Sequence, residues 1–187
     1  MTDALLLEIA AQHGTPTYVY DLEAITEGVA ALRAAFPDAL IRYAVKANAN
    51  GALLRHLVTA GLGAEALTLG ELERSLRAGF EPAQILFGGP GHTPELARRA
   101  AGAGVGLVSL GSAGAWDVWQ GVSAPETRFL VRLNPGFDPH THEHLATAAA
   151  SSKFGEPHAV ARALGQKIAA TGRLAGFHVH AGSMISD

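Results

Sequence analysis

The sequence predicts an α/β fold of the (β/α)8 barrel type. Strand-like runs alternate with helical patterns of roughly 10–15 residues along the 187-residue chain, which is the arrangement of βαβ units on a parallel sheet. Unusual polar and small residues recur just after those runs: Lys46, GGPGH (88–92), NPG (134–136) and HAGS (180–183). A barrel gathers function on the loops after its strands, whereas an open doubly wound sheet concentrates it at one switch point. The spread of these residues over four loops favours the barrel.

The elements follow in order. TYVY (17–20) reads as a strand, and 22–36 as a helix that Asp21 caps and Pro37 stops. IRYAV (41–45) is a strand, 51–60 a helix, GAEAL (63–67) a strand, and 70–78 a helix ended by Gly79. AQILF (83–87) is a strand, and 94–101 a helix with Thr93 as cap and Pro94 in its first turn. VGLVSL (105–110) is a strand, 112–119 a helix, and TRFLVRL (127–133) a strand. A long polar loop fills 134–156, then a helix over 157–170 and a last strand over 174–182. Six strands therefore follow the first helix. Trp116 and Trp119, three apart, read as a helix face packed on the barrel. The whole of 1–187 reads as one barrel domain, with 1–38 a strand and helix leading into it.

Composition removes several classes. A hydrophobic content of 48% with 17% charged residues belongs to a folded globular chain. A net charge of −3 points to neither nucleic acid nor an anionic membrane as partner. The N-terminus MTDALLLEIAAQHG has no basic leader region, and no run approaches the about 18 apolar residues of a spanning helix. The chain contains no cysteine, so it has neither disulfides nor thiolate metal ligands. The expected location is the cytoplasm.

Lys46 carries the sharpest signal. A lysine at a strand end can simply lay its stem on apolar neighbours and keep its head in water. It can also sit in a partly desolvated pocket as a Schiff-base amine. Asn48, Asn50 and Gly51 are turn formers that leave room for a bulky ligand, and they favour the second reading. In HVHAGS (178–183), His178 and His180 share one strand face. The flat ring of His180 could stack on a planar cofactor, while Gly182 and Ser183 with the following amides could hold a phosphate. GGPGH lacks the spaced glycines of a dinucleotide fingerprint and the Lys-Ser/Thr of a P-loop, so it reads as a turn or a pocket wall. The HTHEH run (140–144) invites a metal, but close spacing in a Pro- and Gly-containing loop does not supply tetrahedral geometry. No metal is expected.

Taken together these stretches resemble the fold-type III pyridoxal-phosphate decarboxylases, and within them the diaminopimelate-acting branch. YAVKAN resembles the family's lysine motif, and GAEALTLGELERSLRAGF its second-strand-and-helix signature. RLNPGFDPHTHEHLAT…SSKFG and HVHAGS are similar to two further family motifs, in the same order, so the resemblance runs from about Thr15 to Asp187. It implies that Lys46 carries pyridoxal 5'-phosphate, that His180 stacks on its ring, and that Gly182 and Ser183 lie at its phosphate end. It also implies that Glu65, Glu71 and Arg132 line the cofactor pocket. The implied activity is decarboxylation of meso-diaminopimelate to L-lysine, with a small-molecule amino-acid substrate as partner and a homodimer as the full-length assembly.

The sequence departs from the family pattern at Glu65 (usually Asp), Leu69 and Ala148 (usually Gly), His92 (often Lys) and Met184 (often Gln). The family's later glycine-rich phosphate loop, its Glu-Pro-Gly-Arg strand and its C-terminal β domain are not in this sequence. The chain is therefore expected to be an N-terminal portion, poorly stable and nearly inactive alone, with an unpaired edge on its last strand and a C-terminal portion as a complementing partner. Two rivals stand beside this reading: a non-catalytic, cofactor-binding partial homologue, and a decarboxylase of the same fold for another basic amino acid.

Overall fold

A computed structural model describes residues 1–136 and 154–180. The chain divides into two compact units, Met1–Ile41 and Arg42–Asp187.

The first unit holds two helices, α1 (Asp3–His13) and α2 (Leu22–Ala35). Thr2 caps α1 by accepting from Leu5 N–H, and Gly14 closes it at φ 79°. The sequence reading assigned no element there. Asp21 caps α2 as expected, its Oδ1 accepting from Glu23 and Ala24 N–H at 3.1 and 3.2 Å. The expected strand at 17–20 does not form. Tyr18 is 89% exposed, and Thr17 Oγ1 instead donates 2.8 Å to Gly14 O. TYVY has the side chains of a strand, but strand propensity yields a strand only where another strand pairs with it.

The second unit alternates strand and helix. In order it contains β1 (Arg42–Ala44), α3 (Gly51–Thr59), β2 (Gly63–Ala66), α4 (Leu69–Ala78), β3 (Ile85–Phe87) and α5 (Pro94–Gly102). β4 (Leu107–Leu110), α6 (Ala113–Trp119), β5 (Arg128–Arg132), α7 (His158–Ala169) and β6 (Leu174–His178) complete it. The side chains of Asn50, Thr68, Thr93 and Ser112 accept backbone N–H groups at the starts of α3 to α6. These caps explain why each helix begins where it does. Several strands are shorter than expected, because 3₁₀ turns at Val45–Ala47 and Pro82–Gln84 take their ends.

All strand pairs are parallel, and the sheet order is β1-β2-β3-β4-β5-β6. Each strand lies beside the next in sequence with no reversal. That is the winding of a β/α barrel rather than of a doubly wound sheet. The spacing is regular as well. Arg42 pairs with Gly63, Ala64 with Ile85, Leu86 with Leu107 and Leu107 with Arg128, each 21 residues on. The step from β5 to β6 is longer, Phe129 pairing with Leu174.

One sheet face is fully buried by Ala64, Ala66, Ile85, Phe87, Val108, Leu110, Phe129 and Val131. α4 packs on β2, α6 on β4, and α7 on β5 and β6. Trp116 and Trp119 of α6 are buried, as the sequence suggested, with Trp116 edge-on to Phe129 at 5.2 Å. Alternation sends the intervening residues to the other face, among them Glu65, Ser109, Arg132 and His178. Among the described residues β6 pairs only with β5, and Phe177 remains about half exposed.

Candidate active site

The C-terminal ends of the six parallel strands surround a cavity of about 470 Å³, within the size range of small-molecule sites. Lys46 enters it from the 3₁₀ turn that follows β1. The turn and the loop beyond are braced: Tyr43 Oη donates to Asn48 O, and Arg74 Nη1 donates to Ala49 O. Glu65 enters from β2, Ser109 from β4, Arg132 from the end of β5, and His178 and His180 from the end of β6 and just beyond.

The cavity gathers positive charge. Lys46 and Arg132 face it with the Glu65 carboxylate, alongside His92, His178 and His180. Burial comes first in holding His178 neutral, and the Arg132, His180 and Lys46 charges add to it, so its pKa falls to about 4. His180 is lowered by burial and then by Lys46 and Arg132, with Glu65 opposing. Arg132 is lowered by burial while Glu65 favours its charged form. The guanidinium stays charged at neutral pH, since a group with so high an ordinary pKa remains protonated there.

Second contacts hold these groups in place. Ser109 Oγ lies 2.6 Å from His178 Nδ1. Trp119 Nε1 donates 2.8 Å to His92 Nδ1, so the proton of the neutral His92 imidazole sits on Nε2. Phe154 faces the Arg132 guanidinium at 5.0 Å. Residues 154–156 rejoin β5 through a bridge between Leu133 and Glu156. Two glycines form close walls. A Cβ on Gly89 would stand 2.8 Å from Leu67 O, and one on Gly155 2.9 Å from Asn134 N.

Residues 22–187 match the family model of the pyridoxal-dependent decarboxylases, pyridoxal binding domain. The chain belongs to this family. It is 36% identical over 195 residues to a diaminopimelate decarboxylase of Zymomonas mobilis, covering 99% of this chain and 46% of that protein. With a Deinococcus radiodurans diaminopimelate decarboxylase the identity is 39% over 183 residues, covering 97% and 47%. The crystal structure of Helicobacter pylori diaminopimelate decarboxylase complexed with L-lysine superposes with a TM-score of 0.89 at 28% identity, over 97% of this chain and 48% of that one. The chain thus spans about half the length of the curated relatives it matches. Among the described residues, no helix is long and apolar enough to cross a membrane.

The cavity's donor set fits pyridoxal phosphate, an anionic, planar aldehyde. It offers a primary amine, a guanidinium and flat imidazoles. Of the residues expected from sequence, the fold brings Lys46, Glu65, Arg132 and His180 together. Gly182 and Ser183 lie outside the described residues, as does the 140–144 histidine run. Glu71 stands one residue back from the cavity wall, behind Leu67. It is not among the cavity-lining residues, and its Oε2 accepts Leu67 N–H at 2.7 Å while Thr68 Oγ1 accepts Glu71 N–H. Its carboxylate is committed to the start of α4, where the helix dipole favours negative charge. Ser109 and Phe154 line the cavity without having been singled out in the sequence. GGPGH does form cavity wall, through Gly89, Pro90 and His92.

Proposed function

We propose that this chain is the pyridoxal-phosphate-binding portion of a decarboxylase that converts meso-diaminopimelate to L-lysine, working in the full-length protein as a homodimer. The observation that carries the reading is the convergence of Lys46, Arg132 and His180 on one cavity at the C-terminal strand ends of a family member. The name shared by its relatives supplies the substrate.

Lys46 would hold the cofactor through its ε-amine, the nucleophile suited to an aldehyde, with water as the leaving molecule. His180 would lie against the ring. Burial and the neighbouring cations keep its imidazole uncharged, so it adds no repulsion toward Lys46. Arg132 would supply charge-assisted donors to an anionic oxygen, and Glu65 keeps that guanidinium charged. Gly182 and Ser183 are the expected phosphate contacts. Bound pyridoxal phosphate supplies an electron-accepting ring for the charge left at the α-carbon when CO2 departs. A proton then replaces the carboxylate, and the Lys46 amine, displaced from the cofactor by the amine of the substrate, would stand free at the cavity to hold or deliver it.

The test is covalent labelling. The chain is incubated with pyridoxal phosphate, reduced with borohydride, digested and analysed by mass spectrometry. The expected result is cofactor mass on the peptide carrying Lys46 and none in Lys46→Ala. Equal labelling of both proteins, spread over surface lysines, would overturn the assignment. Mixing the chain with the C-terminal half of a relative and assaying CO2 release from meso-diaminopimelate, L-ornithine and L-arginine tests the substrate.

A further inference from the structure

Arg132 ends β5 inside the cavity, yet among the described residues it forms no salt bridge. Burial disfavours its charge, and Glu65 offsets that cost only through its field. The contact that locates the guanidinium is the Phe154 ring, 5.0 Å from its central carbon. A guanidinium stacked on an aromatic face keeps its N–H edge free, and that edge matches the two oxygens of a carboxylate or phosphate.

The backbone beside the ring is anchored. Glu156 N–H donates to Arg132 O and Asn134 N–H donates to Glu156 O, each at 2.9 Å. The segment carrying Phe154 is thereby tied to the strand end that carries Arg132. Gly155 makes the approach possible, because at φ +77° its missing Cβ leaves room for the backbone of 132–134.

We propose that Phe154 is a positioning residue, whose ring holds the Arg132 guanidinium flat and keeps its N–H edge available in the cavity as a receptor for an oxyanion. The inference deepens the proposed function and rests on it for the identity of the ligand. The oxyanion is either a phosphate or a carboxylate. Phe154 acts through Arg132 and needs no contact with the ligand.

Three substitutions separate orientation from bulk. Phe154→Tyr keeps the aromatic face, Phe154→Leu keeps apolar volume without it, and Arg132→Gln removes the cation. Each protein is titrated by NMR with inorganic phosphate and with acetate, no cofactor being present, and the His178 imidazole is titrated with pH. The groups bearing on that imidazole are Lys46, Arg132 and His180, with Ser109 at its Nδ1. The expected result is a Phe154→Tyr protein like the wild type. Phe154→Leu should bind one of the anions about threefold more weakly, the scale of a partly exposed cation–π contact. The anion that loses affinity identifies the oxyanion received. The pKa of His178 should also move in Phe154→Leu from about 4 toward 6.5, as the cation leaves its fixed place. In the Arg132→Gln background, Phe154→Leu should change nothing further. Equal behaviour of the Leu and Tyr proteins, whether both intact or both impaired, would overturn the proposal. So would an effect of Phe154→Leu that persists without Arg132. Because no cofactor is used, these outcomes are independent of whether Lys46 is labelled.

Discussion

Ser109 and His178 meet across an intervening strand. Ser109 belongs to β4 and His178 to β6, and the 2.6 Å contact of Oγ with Nδ1 passes over the cavity face of β5. One short bond thus ties β4 to β6 and orients an imidazole of the cavity. Ser109→Ala would leave Nδ1 of a part-buried ring without that partner, at a cost of about 1–2 kcal/mol. A urea-unfolding midpoint compared with wild type measures it, and an unchanged midpoint would show that the bond contributes nothing.

The same imidazole predicts how stability depends on pH. His178 has a folded pKa of about 4 against an ordinary 6.5. Between those values the unfolded chain binds a proton that the folded chain refuses. Stability from this group is therefore complete above pH 6.5 and falls as pH drops toward 4. The loss is on the order of 3 kcal/mol, and the lowered His92 and His180 add to it in the same direction. His178→Asn should flatten the profile between pH 7 and pH 4.5 in thermal or urea unfolding.

Glu71 separates folding from binding. Glu71→Ala removes the acceptor of Leu67 N–H and should cost about 1–2 kcal/mol through loss of that bond at the start of α4, with the Thr68 cap left in place. Pyridoxal phosphate affinity, measured by equilibrium dialysis, should change less than about twofold, since Glu71 does not line the cavity and reaches it only through the backbone N–H of Leu67. A tenfold loss of cofactor with unchanged stability would restore the sequence expectation.

Gly155→Ala should destabilise the fold through a steric clash. Its Cβ would meet Asn134 N, Leu133 C and Arg132 O at 2.9 to 3.1 Å, in a backbone conformation already unfavourable for a side chain. A destabilisation of about 2 kcal/mol or more is expected. Amide chemical-shift changes centred on Leu133 and Asn134 would locate it.

The winding was legible because strand side chains alternate and one face is plainly apolar, as Ala64, Ala66, Ile85 and Phe87 show. The cavity was partly legible, since Lys46, Arg132 and His180 follow or end strand runs. Ser109 was hidden because a hydroxyl inside VGLVSL looks like a tolerated strand residue. Its signal was being the polar residue between two buried apolar ones, Val108 and Leu110. Thr68 and Glu71 carry the Thr-x-x-Glu spacing of a helix start, the clue in the sequence to the bonds both make at the start of α4. TYVY misled because propensity is local, whereas pairing depends on what lies alongside.

The 21-residue interval between paired strands has a meaning for the ribosome. As the nascent chain emerges, each new strand from β2 to β5 finds its partner at the same short distance behind it. The sheet can therefore grow in equal steps, each closing a loop of the same entropic cost. β6 must wait for about twice that length, from Phe129 to Leu174, and closing the longer loop costs about 0.6 kcal/mol more. Since β6 brings His178 and His180, these two imidazoles join Lys46, Glu65 and Arg132 at the cavity only after that longer closure.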